Sequence, residues 1–93
     1  MTRYAARTDS TQAPIVAALR AAGCYVWIIG IPVDLMAGRN GKTYLFEVKT
    51  LTGKRNPKPS KRTALQVEFM ENWNGSPVHI VCTPEEALAV IAG

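Results

Sequence analysis

Asp34, Glu47 and Lys49 are the residues of this chain whose types and spacing invite chemistry. They lie in PVDLMAGRNGKTYLFEVKT, residues 32–50, where two apolar runs flank Arg39-Asn40-Gly41-Lys42. Asn-Gly between apolar runs is the strongest short-range signal for a β-hairpin and favours a two-residue type I′ turn. With Asn40 and Gly41 at its centre, Arg39 faces Lys42, and counting outward sets Asp34 directly opposite Glu47. Hydrogen-bonded and non-hydrogen-bonded pairs alternate along the ladder, so 34/47 is a non-hydrogen-bonded pair with Cα atoms only ~4.5 Å apart. Lys49, two residues beyond Glu47, projects from the same face.

Facing like charges destabilise a sheet, and burial adds a desolvation cost of several kcal/mol per ion. Lys49 offsets one carboxylate and not both. The remaining charge calls for a proton or a divalent cation. Two convergent carboxylates, together with the main-chain carbonyl of Val48, make a hard-oxygen set suited to Mg²⁺ or Mn²⁺. Such an ion activates a bound water and, with Lys49, stabilises charge on a phosphate. A second reading stays open: a bulge shifts the register, and Glu47 and Lys49 form a simple same-face ion pair on a solvated sheet edge.

The elements that must position these residues can be read around them. TQAPIVAALRAAG, residues 11–23, predicts a helix with Ile15, Val16 and Leu19 on one side, Pro14 in the first turn and Gly23 as its stop. CYVWII, from Cys24, is a continuous β-branched and aromatic run that predicts a strand buried on both faces. The hairpin follows at roughly 33–50, then a loop interrupted by Pro57 and Pro59. Residues from about 64 to 73 predict a helix with Leu65, Phe69 and Trp73 on its inner side and Asn74-Gly75 as its stop. PVHIVC is another strand. TPEEALAVIAG closes the chain as a helix with Thr83 as N-cap, Pro84 at the first position and Glu86 placed for a capping box. The order α-β-β-β-α-β-α is that of an α/β domain, a central mixed sheet flanked by helices.

Ninety-three residues suit a single domain spanning 1–93. The composition, 47% hydrophobic and 19% charged, is globular and not disordered. No apolar run reaches the ~18–20 residues of a membrane span, and MTRYAARTDSTQ holds no signal-peptide apolar stretch, so a soluble, cytoplasmic protein is expected. Cys24 and Cys82 lie far apart in apolar runs without CxxC or Cys/His spacing. They read as buried free thiols and give no support to a zinc site.

Net charge is +4, and GKRNPKPSKR, residues 53–62, holds Lys54, Arg55, Lys58, Lys61 and Arg62 with no acidic residue among them. A concentrated basic segment is what binding to a phosphate backbone needs; a solvated flexible loop is the other reading of the same composition.

Asp34, twelve intervening residues, then Glu47-Val48-Lys49 resembles the PD-(D/E)xK nuclease motif. The chain as a whole resembles the small phage-encoded nucleases of the VRR-NUC and Holliday-junction-resolvase-like group. The likeness runs through ARTDSTQ, IVAALRAAG, the hairpin, LQVEFMENWNG and EEALAVI. It implies a restriction-endonuclease-like core, metal-dependent hydrolysis of DNA phosphodiester bonds in duplex or branched substrates, a homodimer, and the host cytoplasm as the setting. It assigns Asp34, Glu47 and the Val48 carbonyl to the metal, and Lys49 to positioning the water or stabilising the transition state. Gln66 corresponds to a glutamine on the helix beside the site, although Thr63-Ala64-Leu65-Gln66 also reads as a capping box. Two positions depart from the family pattern. Val33 intervenes between Pro32 and Asp34, and Pro14 stands where relatives tend to carry a first-helix glutamate, with Gln12 nearby but uncharged. A catalytically weak or inactive nucleic-acid-binding module on the same fold is the alternative that this second departure leaves open.

Other candidates are thinner. His79, the single histidine, sits in an apolar strand and reads as a satisfied sheet residue. Ser10, Ser60 and Ser76 have no His/Asp arrangement about them, and no phosphate-cradling glycine loop is present. Tyr25, Trp27 and Trp73 are expected in the core.

Overall fold

The computed structural model describes residues 10–50 and 61–93, with side chains in the second stretch described from residue 64 onward. Its elements are α1 (Gln12–Ala21), β1 (Tyr25–Ile28), β2 (Leu35–Arg39), β3 (Lys42–Val48), α2 (Lys61–Asn72), β4 (Val78–Val81) and α3 (Pro84–Ala92). They form one sheet in the order β1-β2-β3-β4, in which β1–β2 and β2–β3 are antiparallel and β3–β4 is parallel. The chain is thus a small α/β fold with a four-stranded mixed sheet and three helices, in the order expected from the sequence.

The hairpin is set by its turn. Asn40 (φ 53°) and Gly41 (φ 80°) both lie in the left-handed region that a type I′ turn requires. The register then runs from Arg39↔Lys42 to Leu35↔Phe46, as counted from Asn-Gly.

Alternation along the strands divides the sheet into two unlike faces. One face carries Val26, Leu35, Ala37, Phe46 and Val81, all buried against Ile15, Val16 and Leu19 of α1 and Ala87 and Ile91 of α3. Pro14 sits in the first turn of α1, where its missing N–H costs nothing. The helix ends with Gly23 (φ 98°), whose amide donates to the Arg20 carbonyl while Cys24 N–H donates to that of Leu19. At the start of α3, Thr83 Oγ1 accepts from Glu86 N–H at 3.1 Å. The Glu86 carboxylate in turn accepts the Cys82 N–H at 2.6 Å, one residue upstream of the N-cap amide that a standard capping box would use.

Two expectations about burial are corrected. β1 is an edge strand with one buried face: Val26 is 5% exposed, whereas Tyr25 is 72% and Trp27 57% exposed. Both rings face solvent; the hydrogen bond from Gln66 of α2 reaches Glu47 on β3, not β1. On α2 the half-buried positions are Gln66 and Phe69, while Leu65 and Trp73 are exposed. The helix is turned from the expected apolar stripe because the Gln66 amide has a buried carboxylate to meet. Phe69 and Trp73 instead stack on one another, with ring centroids 4.9 Å apart.

Cys24 is a buried free thiol and Cys82 a half-buried one. Burial pushes the Cys24 thiol up, against an opposing pull from the Arg39 guanidinium. Among the described residues no helix is long and apolar enough to cross a membrane.

Candidate active site

The second face of the sheet carries the charged residues. Asp34 and Glu47 are both buried, at 9% and 8% exposure, beside a Lys49 side chain that is 56% exposed. Phe46 points into the apolar core, so its neighbour Glu47 points away from it, toward α2.

Asp34 does not form the regular cross-strand pair expected for it. The ladder ends at Leu35↔Phe46, one residue short. Asp34 N–H donates to the Phe46 carbonyl at 3.1 Å, and its own carbonyl accepts from Ile29 and Gly30 N–H at 2.8 and 3.3 Å. In a regular continuation Val48 N–H would donate to the carbonyl of residue 33. Here Asp34 Oδ2 accepts it instead, at 2.7 Å. The carboxylate thus replaces a missing main-chain acceptor at the point where the hairpin opens. A charge-assisted bond of this kind holds the side chain in one orientation.

Glu47 is fixed from two other directions. Its Oε2 accepts from Gln66 Nε2 at 2.9 Å, and Lys49 Nζ lies 3.8 Å from the same oxygen. The same-face ion pair therefore exists, but with Lys49 largely in solvent it contributes little to stability. The capping-box reading of Gln66 does not hold: α2 begins at Lys61, two residues before Thr63, so Thr63 is inside the helix. Val48 is tied to Asp34 through its N–H, which orients the peptide linking it to Glu47.

Asp34, Glu47, Lys49 and Gln66 are thus gathered at one end of the β2–β3 hairpin. The basic segment is not placed in the same way. Lys54, Arg55 and Lys58 lie outside the described residues, and Lys61 and Arg62 belong to α2, not to the loop expected to extend through residue 62. At the head of α1, Pro14 is exposed and Gln12 buried. Thr11 and Thr50 hydroxyls stand 3.3 Å apart, which brings that helix end to the residue following Lys49. His79 lies against Phe46, with ring centroids 5.9 Å apart, in keeping with a sheet histidine and not a member of the site.

The site opens into a 330 Å³ cavity bounded by Pro32, Glu47, Lys49, Gln66, Met70 and Ile80. Two buried carboxylates offer oxygen only, a donor set that suits Mg²⁺, which keeps several waters and binds through one or two carboxylates plus a phosphate. Among the described residues no group of three His, Cys, Asp or Glu could hold a metal.

Sequence reasoning missed the part that Val48 N–H plays. The hairpin count pairs that amide with the carbonyl of residue 33, so the sequence carried no signal for it. Comparison with protein-family models, curated proteins and solved structures gave no match.

Proposed function

We propose that this chain is a metal-dependent endonuclease that hydrolyses DNA phosphodiester bonds, with a restriction-endonuclease-like core of the PD-(D/E)xK type. The observation that carries the reading is the pair of buried carboxylates at the open end of the β2–β3 hairpin, one of which, Glu47, lines a cavity together with the solvent-facing Lys49. Isolated buried carboxylates are costly, and this arrangement pairs them with polar partners while leaving the cation reachable from outside.

Asp34 and Glu47 would hold Mg²⁺ or Mn²⁺, with the Val48 carbonyl as a third oxygen. When bound, the ion supplies an activated water and neutralises charge on the phosphate. The chain's own residues do the positioning. Val48 N–H orients Asp34 and Gln66 orients Glu47, so neither carboxylate has to be ordered when substrate arrives. Lys49, extended toward solvent, places an ammonium where negative charge grows on a nonbridging phosphate oxygen. Cytoplasmic DNA, duplex or branched, is the proposed substrate.

The test is incubation with plasmid and with four-way-junction DNA in Mg²⁺, Mn²⁺ or EDTA. Cleavage is expected with either ion and none with EDTA; intact DNA throughout would sink the reading. A second reading is favoured by one observation, the exposed Pro14 and uncharged Gln12 at the head of α1. It is a nucleic-acid-binding module with little or no cleavage. The same mixtures run as a gel shift separate the two, since the module retards DNA without cutting it.

Binding is expected to depend on salt through the basic segment. If Lys54, Arg55, Lys58, Lys61 and Arg62 make ~3–5 phosphate contacts, log K falls with log[salt] at about −0.9 per contact. Neutralising Lys54, Arg55 and Lys58 together flattens the slope by about 2–3 units, measured by fluorescence anisotropy across a salt series. An unchanged slope would place the segment away from the nucleic acid.

The proposed assembly is a homodimer, because cutting both strands of a duplex takes two sites and a two-fold pair supplies them in matching orientation. Light scattering at micromolar concentration is expected to give about 20 kDa, twice the 10.1 kDa chain. A monomer that still cuts both strands would overturn it.

A further inference from the structure

The cavity beside Glu47 has a floor, a roof and two unlike ends. Glu47 and Ile80 are register partners across β3 and β4, so they stand side by side on one face of the sheet. Glu47 is buried, Ile80 is 58% exposed, and both line the cavity. Gln66 and Met70, one turn apart on α2, line it from the helix side, and Met70 is 43% exposed. The cavity volume of 330 Å³ lies at the small end of the ~300–1,000 Å³ usual for ligand pockets. That is space on the scale of one nucleotide, and not of a duplex or a run of stacked bases.

The two ends carry opposite charges. β3 and β4 are parallel and α2 is the crossover between them, so the helix runs opposite to both strands. Gln66 is held over Glu47 by their hydrogen bond. From that point Lys49 lies two residues along β3, ~6.6 Å in one direction. Glu71 lies five residues along α2, ~7.5 Å in the other. Both side chains line the cavity, an ammonium toward one end and a carboxylate toward the other. A ligand that matches is anionic at one end, flat and apolar-faced in the middle, and a hydrogen-bond donor at the far end.

We infer that the cavity takes a single unpaired nucleotide whose base carries an exocyclic amine. Its phosphate lies at Lys49, which rests on the nuclease reading, its base lies between Ile80 and Met70, and its amine donates to Glu71. A paired base has its faces covered by stacking and its edge by its partner, so a base reaches this slot only from an unpaired stretch or by leaving the stack. Ile80 offers branched aliphatic surface to one face of the ring, and Met70 a polarisable thioether to the other. An ionised carboxylate only accepts hydrogen bonds. Glu71 therefore suits the N4 amine of cytosine and opposes the O4 carbonyl of thymine, where two acceptors would meet.

The test is a titration of the full chain, carrying ¹³C-methyl methionine, with deoxycytidine monophosphate, thymidine monophosphate and inorganic phosphate in Mg²⁺. A monophosphate offers no phosphodiester to cut, so the titration reads binding alone. Met70 lines the cavity, and Met36, on β2, is the control. The ring current of a bound base is expected to move the Met70 methyl upfield and leave Met36 in place, and inorganic phosphate to move neither. The cytosine nucleotide is expected to bind about tenfold tighter than the thymine one. Glu71→Gln, which donates as well as accepts, brings that ratio to about one. The ratio is the readout, because removing a negative charge helps both phosphates alike. Ile80→Trp fills the slot and abolishes the nucleotide-dependent shift. Both positions are exposed, and an unchanged far-UV circular dichroism spectrum checks the fold. A Met70 methyl that stays still, a shift that Met36 shares or that persists in Ile80→Trp, or a wild-type ratio of one or less overturns the inference. So does a ratio that survives Glu71→Gln. Plasmid cleavage in Mg²⁺ is scored separately. A chain that prefers cytosine through Glu71 yet cuts nothing keeps this inference and sinks the nuclease reading, and one that cuts with a ratio of one does the reverse.

Discussion

Under the proposed nuclease function, Asp34→Asn is expected to give a folded protein that does not cleave DNA. The substitution keeps an oxygen that can accept the Val48 N–H now bonded to Oδ2, so the end of the hairpin stays closed. It removes one of the two buried carboxylates at this end of the hairpin, and with it a desolvation cost. The thermal midpoint should therefore equal or exceed that of the wild type. Activity moves the other way, because a carboxamide is a poor ligand for a hard divalent ion. If Asp34 is the proposed metal ligand, its loss removes several kcal/mol of transition-state stabilisation, roughly a thousandfold in kcat/KM at 1.36 kcal/mol per decade. Asp34→Ala separates the two roles. It also loses the acceptor, leaves the Val48 N–H unsatisfied at a cost of ~1–3 kcal/mol, and lowers the midpoint by at least about 4 °C. Near-normal cleavage by Asp34→Asn, measured on plasmid in Mg²⁺, would remove Asp34 from the site.

Lys49→Ala is the second large effect. Its Nζ lies 3.8 Å from Glu47 Oε2 and its side chain is mostly in water, so the pair it breaks contributes only ~0–1 kcal/mol to stability. Fold and DNA affinity should stay close to wild type, with the salt slope changed by no more than about 0.9. The rate should fall by about 10²–10³, the usual cost of deleting one donor to developing charge. Were Lys49 only the surface partner of Glu47, the rate would be unaltered, and single-turnover cleavage decides between the two.

The parts of the fold that local chemistry dictates were legible in the sequence. Asn40-Gly41 can close a tight hairpin in one way, which fixed the Arg39↔Lys42 register and put Asp34 and Glu47 at one end of it. Thr83-Pro84 and Gly23 likewise marked helix boundaries. What depends on neighbours distant in sequence was not legible. CYVWII has the composition of a strand covered on both sides, and its place at the edge of the sheet, which composition does not give, goes with Tyr25 and Trp27 being exposed. Gln66 was ambiguous because a glutamine three residues after a threonine fits a cap and a carboxylate partner equally well. The position of Glu47 across the helix–sheet gap decided it.

The Asn40-Gly41 turn has a consequence for how such a gene can change length. Asp34 lies six residues from the turn, about 20 Å along the strand. Strand side chains alternate with a period of two, so adding or deleting a single residue at the turn slides one strand by one position against the other. Leu35 would then leave the apolar core and Asp34 would turn toward it. The tip of the hairpin tolerates substitutions that keep two left-handed residues, but an odd-numbered insertion there would displace candidate-site residues it never touches. Frame, in this protein, is counted twice: once in codons and once in the parity of a strand.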